Sequence, residues 1–416
     1  MKKVFTLMVG LSLTTAATLL GDDWPQWNGP NRDGKSADTG LLAKWPEGGP
    51  KLVWKITGVG KGYSQVSVVG DRIYTMGDKE DAGDVLAFNA ADGKLLWSTK
   101  VGKPGSPFMP GYDFPGPRCT PTVDGNLIFA VDAWGELVCV SASDGKEQWR
   151  KDYEKDFGGT PPTWGFCESP LVDGNQVVIT PGGSKGTLVA LNKQNGALLW
   201  QSKDFTEPAQ YSSVISADIA GTHQYIQLTG ANLVGIAAQD GSVLWKTIRR
   251  GNIAVIPTPV LVGDEIYATS GYNSGCNLFR VTKADGNFTA QQVYANRVMS
   301  NQHGGVVRVG DCIYGYADSK GLTCQNAKTG DAIWVEKEKI GKCAVTFADG
   351  KLYCREEDSG AVVLVDASPS KYTELGRFKQ PDRARENAWT HPVVANGRLF
   401  LRDQDLLLCY DVEKGG

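Results

Sequence analysis

Three histidines are the first residues to consider for chemistry, because imidazole serves both proton transfer near neutral pH and metal ligation. His223, His303 and His391 lie far apart in the 416-residue chain, and none stands in an HExxH sequence. Each is read singly as a hydrogen-bonded structural residue, and no metal site is assigned. The chain has no Walker loop for a phosphate and no CxxCH haem-attachment sequence. No residue is therefore given a catalytic role. Nine cysteines include no adjacent pair, and their odd number leaves at least one outside any intramolecular disulfide. Basic and acidic residues number 43 and 46 and are mixed throughout, for a net charge of −3. That balance gives no electrostatic reason to bind nucleic acid or an anionic membrane.

The N-terminus carries an address rather than chemistry. Lys2 and Lys3 precede an apolar stretch over residues 4–20, broken only by Thr, Ser and Gly, which is the layout of a secretory signal peptide. The stretch is short and ends at Asp22 and Asp23, unlike a membrane span. Residues 1–21 are expected to be removed, by cleavage after Ala17 or after Gly21. No transmembrane segment then remains, and the chain is expected to be periplasmic or secreted. No cysteine near the end of the run offers a lipid attachment point, so the mature chain is expected to be untethered and a monomer. Residues 22–49 are read as an N-terminal arm and residues 50–416 as the main body.

The main body is organised by a repeat. It reads AFNAADGKLLW at 87–97, CVSASDGKEQW at 139–149, ALNKQNGALLW at 190–200, GIAAQDGSVLW at 235–245 and CQNAKTGDAIW at 324–334. A small residue, a turn glycine and a tryptophan keep one spacing in all five. Upstream lie hairpin signals, such as PTVDGNLIF from Pro121, PLVDGNQVV from Pro170 and PVVANGRLF from Pro392. Alternating apolar residues on both sides of a Gly-containing pair predict two antiparallel strands and a tight turn. Each unit of roughly 40–50 residues thus supplies four short strands, which is the period of a propeller blade. Two units have weakened signatures, placing Ala290 and Glu374 where tryptophan is expected. The last unit, from Pro392, runs out at residue 415 before its tryptophan. Lys51, Leu52, Val53 and Trp54 repeat the pattern of Lys94, Leu95, Leu96 and Trp97. The expected fold is therefore an all-β, eight-bladed β-propeller of four-stranded antiparallel blades, its ring closed by the N-terminal strand, with seven blades as the alternative. Trp54, Trp97, Trp149, Trp200, Trp245 and Trp334 are expected to dock on neighbouring blades.

The AxNxxDGxxxW pattern resembles the tryptophan-docking motif of the pyrroloquinoline-quinone (PQQ) repeat, found in quinoprotein alcohol dehydrogenases and in BamB-type outer-membrane assembly proteins. The leader WPQWNGPNRDGKS at 24–36 resembles the N-terminal segment of short secreted PQQ-like propellers. The resemblance covers residues 50–416 and implies the propeller fold. It implies two functions. One is a non-catalytic binding or scaffold protein, in cell-envelope protein assembly. The other is a PQQ-dependent oxidoreductase acting on an alcohol or sugar, with PQQ and calcium as cofactors. The larger dehydrogenases carry an adjacent cysteine pair beneath the cofactor, an Asp base and Glu, Asn and Asp oxygens on calcium; none of these carries over to this chain. The first function leads, with an envelope protein or a small polar ligand as partner.

In a propeller the residues just before each blade's first strand gather at one mouth of the central channel. Alignment of the units puts Tyr63 to Gln65, Arg118 and Cys119, Cys167 and Glu168, Tyr211 and Ser212, Asn301 to His303, and Trp389 to His391 there. Of these, Tyr63, Arg118, Glu168, Tyr211, His303, Trp389 and His391 are the candidate ligand-binding residues. The competing reading is that the ring satisfies strand ends, with Arg118 and Glu168 as a salt bridge. Trp164 and Tyr112 are candidates for the rim. Cys139, Cys324 and Cys409 fall in the slot of Ala87 and Ala190 and read as packing residues. Cys343 and Cys354 are diagonal across a two-residue turn, and Cys119 with Cys167 is the pair worth testing for a bond.

Overall fold

The alternating segments fold as short inner strands hairpinned to longer second strands. Thr122–Asp124 pairs with Leu127–Val131, and Leu171–Asp173 with Gln176–Ile179. Gly125 and Gly174, at φ 56° and 55°, take the left-handed conformation that such two-residue turns require. The computed structural model describes residues 23–107 and 116–415, so the expected leader and Tyr112 lie outside the described residues. It consists of eight four-stranded antiparallel sheets, arranged as the blades of one propeller. In order they span residues 67–102, 122–152, 171–201, 215–248, 260–296, 306–336, 343–378 and 393–411. The eighth takes Lys51–Ile56 as its outermost strand, with Trp54 paired to Cys409 as Trp97 is paired to Ala87. Eight blades closed by the N-terminal strand leave no free edge between first and last. Among the described residues the one α-helix is Tyr153–Phe157, capped by the Asp152 side chain.

Each docking tryptophan occupies the outermost strand of one blade, and five of the six reach the turn of the next. The indole Nε1 groups of Trp54, Trp97 and Trp149 donate to the carbonyls of Ala90, Ala142 and Lys193 at 2.9, 3.2 and 3.0 Å. Their rings lie against Gly93, Gly145 and Gly196, where a Cβ would come within 3.0 Å of the ring. Trp200 repeats this on Ala238 and Gly241, and Trp334 bonds the carbonyl of Ser368. Trp245 departs from the pattern: its Nε1 donates to Gln224 Oε1 of its own blade. The reason lies in the next blade, whose hairpin of Gly275–Ala284 and Asn287–Asn296 is elongated and carries its turn glycine, Gly286, away from any partner.

That elongation also corrects one expected slot. In every blade a bulge follows the tryptophan pair, and in the fifth the residue paired before the bulge is Tyr294, not Ala290. Tyr294 donates its hydroxyl to Ala327 O at 2.9 Å and packs on Gly330, as the tryptophans do. In the seventh blade the slot belongs to Gly376 rather than Glu374. The missing ring comes from the arm: Trp45 lies over Gly376, edge-on to Tyr353 and Phe378 at 5.6 Å each. The nine cysteines are free thiols, with Cys139, Cys324 and Cys409 fully buried among apolar neighbours. Cys354 stands opposite Val345, so Cys343 and Cys354 are diagonal.

Residues 24–34 of the arm do not hang off the ring but cross its channel. Trp24 forms a two-way backbone bridge with Val68 of the first inner strand, and Pro25 O accepts from Val123 N of the second blade. The buried guanidinium of Arg32 donates to Ser169 O and Pro170 O of the third. Trp27 Nε1 reaches Thr258 Oγ1 of the fifth at 2.9 Å, and Gly34 O accepts from Phe347 N of the seventh. Contacts to inner strands on opposite sides of the ring require the segment to pass through the axis. Where blades meet around it, the hydroxyls of Thr122 and Thr346 in inner strands, and of Ser212 just ahead of one, donate to the carbonyls of Pro170, Pro392 and Pro257, which lead into the following blade.

Candidate functional site

The arm turns the channel into a cup. Residues ahead of the inner strands enclose, at one mouth, a cavity of about 250 Å³. Its floor includes Trp27, because the arm bonds the same inner strands further along than the residues at the mouth. Tyr63, Arg118, Tyr211, His303, Trp389 and His391, six of the candidate residues, line it. Trp389 stacks on His303 with ring centroids 4.4 Å apart and meets the tilted Tyr63 ring at 4.8 Å. Its indole Nε1 donates to Glu357 Oε1 at 2.6 Å, which fixes the ring. Trp27 packs on His391 at 4.9 Å. Arg118 lies 5.5 Å over the Tyr63 ring and donates to Trp164 O at 3.2 Å. Trp164 stands edge-on to Tyr211 at 5.7 Å and lines the cavity, as a rim residue would.

The His391 ring sits where it does because its neighbour has no side chain. Gly305 has φ 67°, and a Cβ there would be 2.8 Å from His391 Cε1. His391 Nε2 lies 2.8 Å from His303 O. A carbonyl only accepts, so Nε2 carries the proton and Nδ1 is an acceptor. That Nδ1 is buried and has no hydrogen-bond partner, and the same holds for His303 Nδ1. Burial lowers the His391 pKa to about 4. Burial, reinforced by the positive charges of Lys342 and Arg118, lowers that of His303 to about 3. Both rings are therefore neutral at pH 7. Lys342 is held by Gln302 and lies 3.6 and 3.5 Å from Asp318 and Glu357.

Glu168 does not join this set. It is 1% exposed, accepts from Tyr153 Oη at 3.0 Å and from Thr180 N, and makes no salt bridge with Arg118. Burial raises its pKa, against these hydrogen bonds and the charge of Arg32. It holds the helix Tyr153–Phe157 against the third blade. Gln65 is likewise committed to the arm, accepting from Trp24 Nε1 and Asn28 N. Cys167 lines the cavity, but burial pushes its thiol up to about 11, so it is protonated and a poor nucleophile. Cys119 is separately bonded, to Thr120 O and Val131 N.

Five lining residues escaped the alignment: Ser213, Ala254 and Ile256, which precede inner strands, and two from elsewhere in the chain. Trp27 belongs to the arm, and Tyr272 to the loop between second and third strands of the fifth blade. In an up-and-down sheet that loop emerges on the same side as the start of the first strand, and this geometric signal would have found Tyr272. Calcium takes six to eight hard oxygen ligands, carboxylates foremost. No described residue lining the cavity is an Asp or Glu, and no group of three or more His, Cys, Asp or Glu among the described residues is placed to hold a metal. The donor set does not fit a calcium-polarised quinone.

A profile of the family described as "Outer membrane protein assembly factor BamB" matches residues 81–336. The outer membrane protein assembly factor BamB of Burkholderia pseudomallei is 25% identical over 391 residues, which cover 90% of this chain and 91% of its own length. The Salmonella typhimurium protein of the same name is 24% identical over 373 residues, covering 74% of this chain and 86% of its own. BamB from Moraxella catarrhalis superposes with a TM-score of 0.61 at 15% identity, covering 88% of this chain and 98% of its own. Quinohemoprotein alcohol dehydrogenase from Comamonas testosteroni superposes with a TM-score of 0.65 at 11% identity, covering 95% and 81%. Structural likeness at such identities carries the fold and not the activity.

Proposed function

The chain belongs to the outer membrane protein assembly factor BamB family, and from that footing we propose that it is a non-catalytic binding propeller of the cell envelope. It works in the periplasm or outside the cell and presents its channel mouth and blade edges to an envelope protein during outer-membrane protein assembly. The observation that carries this reading is the family match over residues 81–336. The aromatic, carboxylate-free lining of the cavity supports it, since such a wall suits recognition better than acid–base or metal chemistry. The outer strands add a second surface. Leu95 and Leu96 of the first blade and Leu198 and Leu199 of the third are exposed beside unpaired strand edges, and a partner strand adds to such edges through backbone hydrogen bonds. Deleting the gene in its native host and quantifying outer-membrane β-barrel proteins tests the proposal. Their levels should fall and return on complementation; unchanged levels would contradict it.

A further inference from the structure

We propose that the channel-mouth cavity is a carbohydrate site, taking a single hydroxyl-rich pyranose ring that stacks on the aromatic walls and donates a hydrogen bond to His391. The inference rests on reading the mouth as a binding surface. It goes further, to the class of ligand.

Four observations narrow that class. First, the walls are flat and aromatic: the Trp389–His303 stack on one side, Trp27 below and Tyr63 beside them. An aromatic face is the negative side of its quadrupole, and the polarised C–H bonds on one face of a sugar ring complement it. Second, His391 lines the cavity with a side chain only 3% exposed, and its buried Nδ1 is an acceptor without a partner. An unmet buried acceptor is costly, so a ligand that brings an O–H to it gains more than one offering only oxygens. A carboxylate does not supply that proton. Third, no described lining residue is an Asp or Glu that would neutralise an ammonium ligand, the kind that aromatic cages otherwise collect. Fourth, about 250 Å³ is smaller than the ~300–1,000 Å³ that holds drug-sized ligands. The space suits one ring and not a buried oligosaccharide. Neutral hydroxyls, a flat C–H face and small size occur together in a monosaccharide unit.

Titration calorimetry of the full chain against D-glucose, D-galactose, N-acetyl-D-glucosamine and D-glucuronate tests this, with benzoate and glycine betaine as the flat-acid and ammonium controls. At least one saccharide should saturate and change the tryptophan fluorescence, and neither control should. Glucuronate shows whether an acidic ring is preferred to a neutral one. Affinity should fall at least about tenfold in Trp389→Ala and in His391→Phe, an amount equal to ~1.4 kcal/mol. Trp27→Phe, a milder change, should weaken binding in a chain that still folds. Saturation by benzoate or betaine in preference to every sugar, or no saccharide binding at all, would overturn the assignment. The deletion phenotype is read separately. A strain with depleted β-barrel proteins whose propeller ignores sugars would sink the carbohydrate site alone, and sugar binding without that phenotype would sink the assembly role alone.

Discussion

Five tryptophans at one spacing, with Trp54 matched to them, announced the blades, and five of these six bond the neighbouring turn. Trp245 and Tyr294 show what spacing cannot carry. Counting ten positions from a small residue fails where a hairpin is lengthened, because position in the blade is set by cross-strand register and not by distance from the turn. The histidines are legible only in part for another reason, since pKa depends on what surrounds the ring. Partial burial pulls the pKa of His223 down, but hydrogen bonds with Asp173 and Asp218 outweigh it and hold the pKa above 6.5. The folded protein therefore keeps this proton more tightly than the unfolded chain. Its contribution to stability is full below pH 6.5 and lost as the pH rises through the folded pKa. His391 has the opposite sign: the unfolded chain takes its proton first, so stability falls between pH 6.5 and about 4. Urea midpoints should show His223→Gln destabilising at pH 5.5 and nearly silent at pH 8.5. Equal loss at both pH values would remove the ion-pair explanation.

At the scale of elements, the arm was separable from the repeat in sequence, but its course was not. Its hydrogen bonds join residues as distant as Trp27 and Thr258, 231 positions apart, and nothing local in the leader encodes such a partner. Local composition does explain why it can be buried. Asn28 and Arg32 take positive φ beside Gly29 and Gly34, which folds the segment into successive turns narrow enough for the channel. Burial lowers the Arg32 pKa to about 10, so the guanidinium enters the channel charged and is met by carbonyls. The arm also substitutes for a repeat residue where Trp45 fills the space over Gly376. Truncating a buried tryptophan costs about 3–5 kcal/mol. Trp45→Ala should lose that much in chemical denaturation although it lies outside every blade. A loss under about 1 kcal/mol would mean the seventh and eighth blades hold together without it.

Across the whole molecule, ring closure was readable because the missing last strand and the surplus first strand carry matching residues, Trp54 against Cys409. The channel mouth was readable as far as alignment reaches. Residues preceding the inner strands converge in any propeller, so Tyr63, Arg118, Tyr211, His303, Trp389 and His391 could be named. Glu168 could not be separated from them, because side chains at the same point of a repeat can face the channel or the blade interior. The cup has an aromatic wall, an arm for its floor and no Asp or Glu among its described lining residues, so it does not offer the calcium ligands of a quinone site built on the same scaffold. Thermal unfolding of the purified chain with PQQ and calcium bears on this most directly. A ligand at a hundredfold its dissociation constant stabilises by about 2.7 kcal/mol, a shift that is easily read. The transition should stay where it is with both added, and no dye-linked alcohol oxidation should appear. A rise of several degrees that needs PQQ and calcium together would contradict the account and return the cavity to redox chemistry.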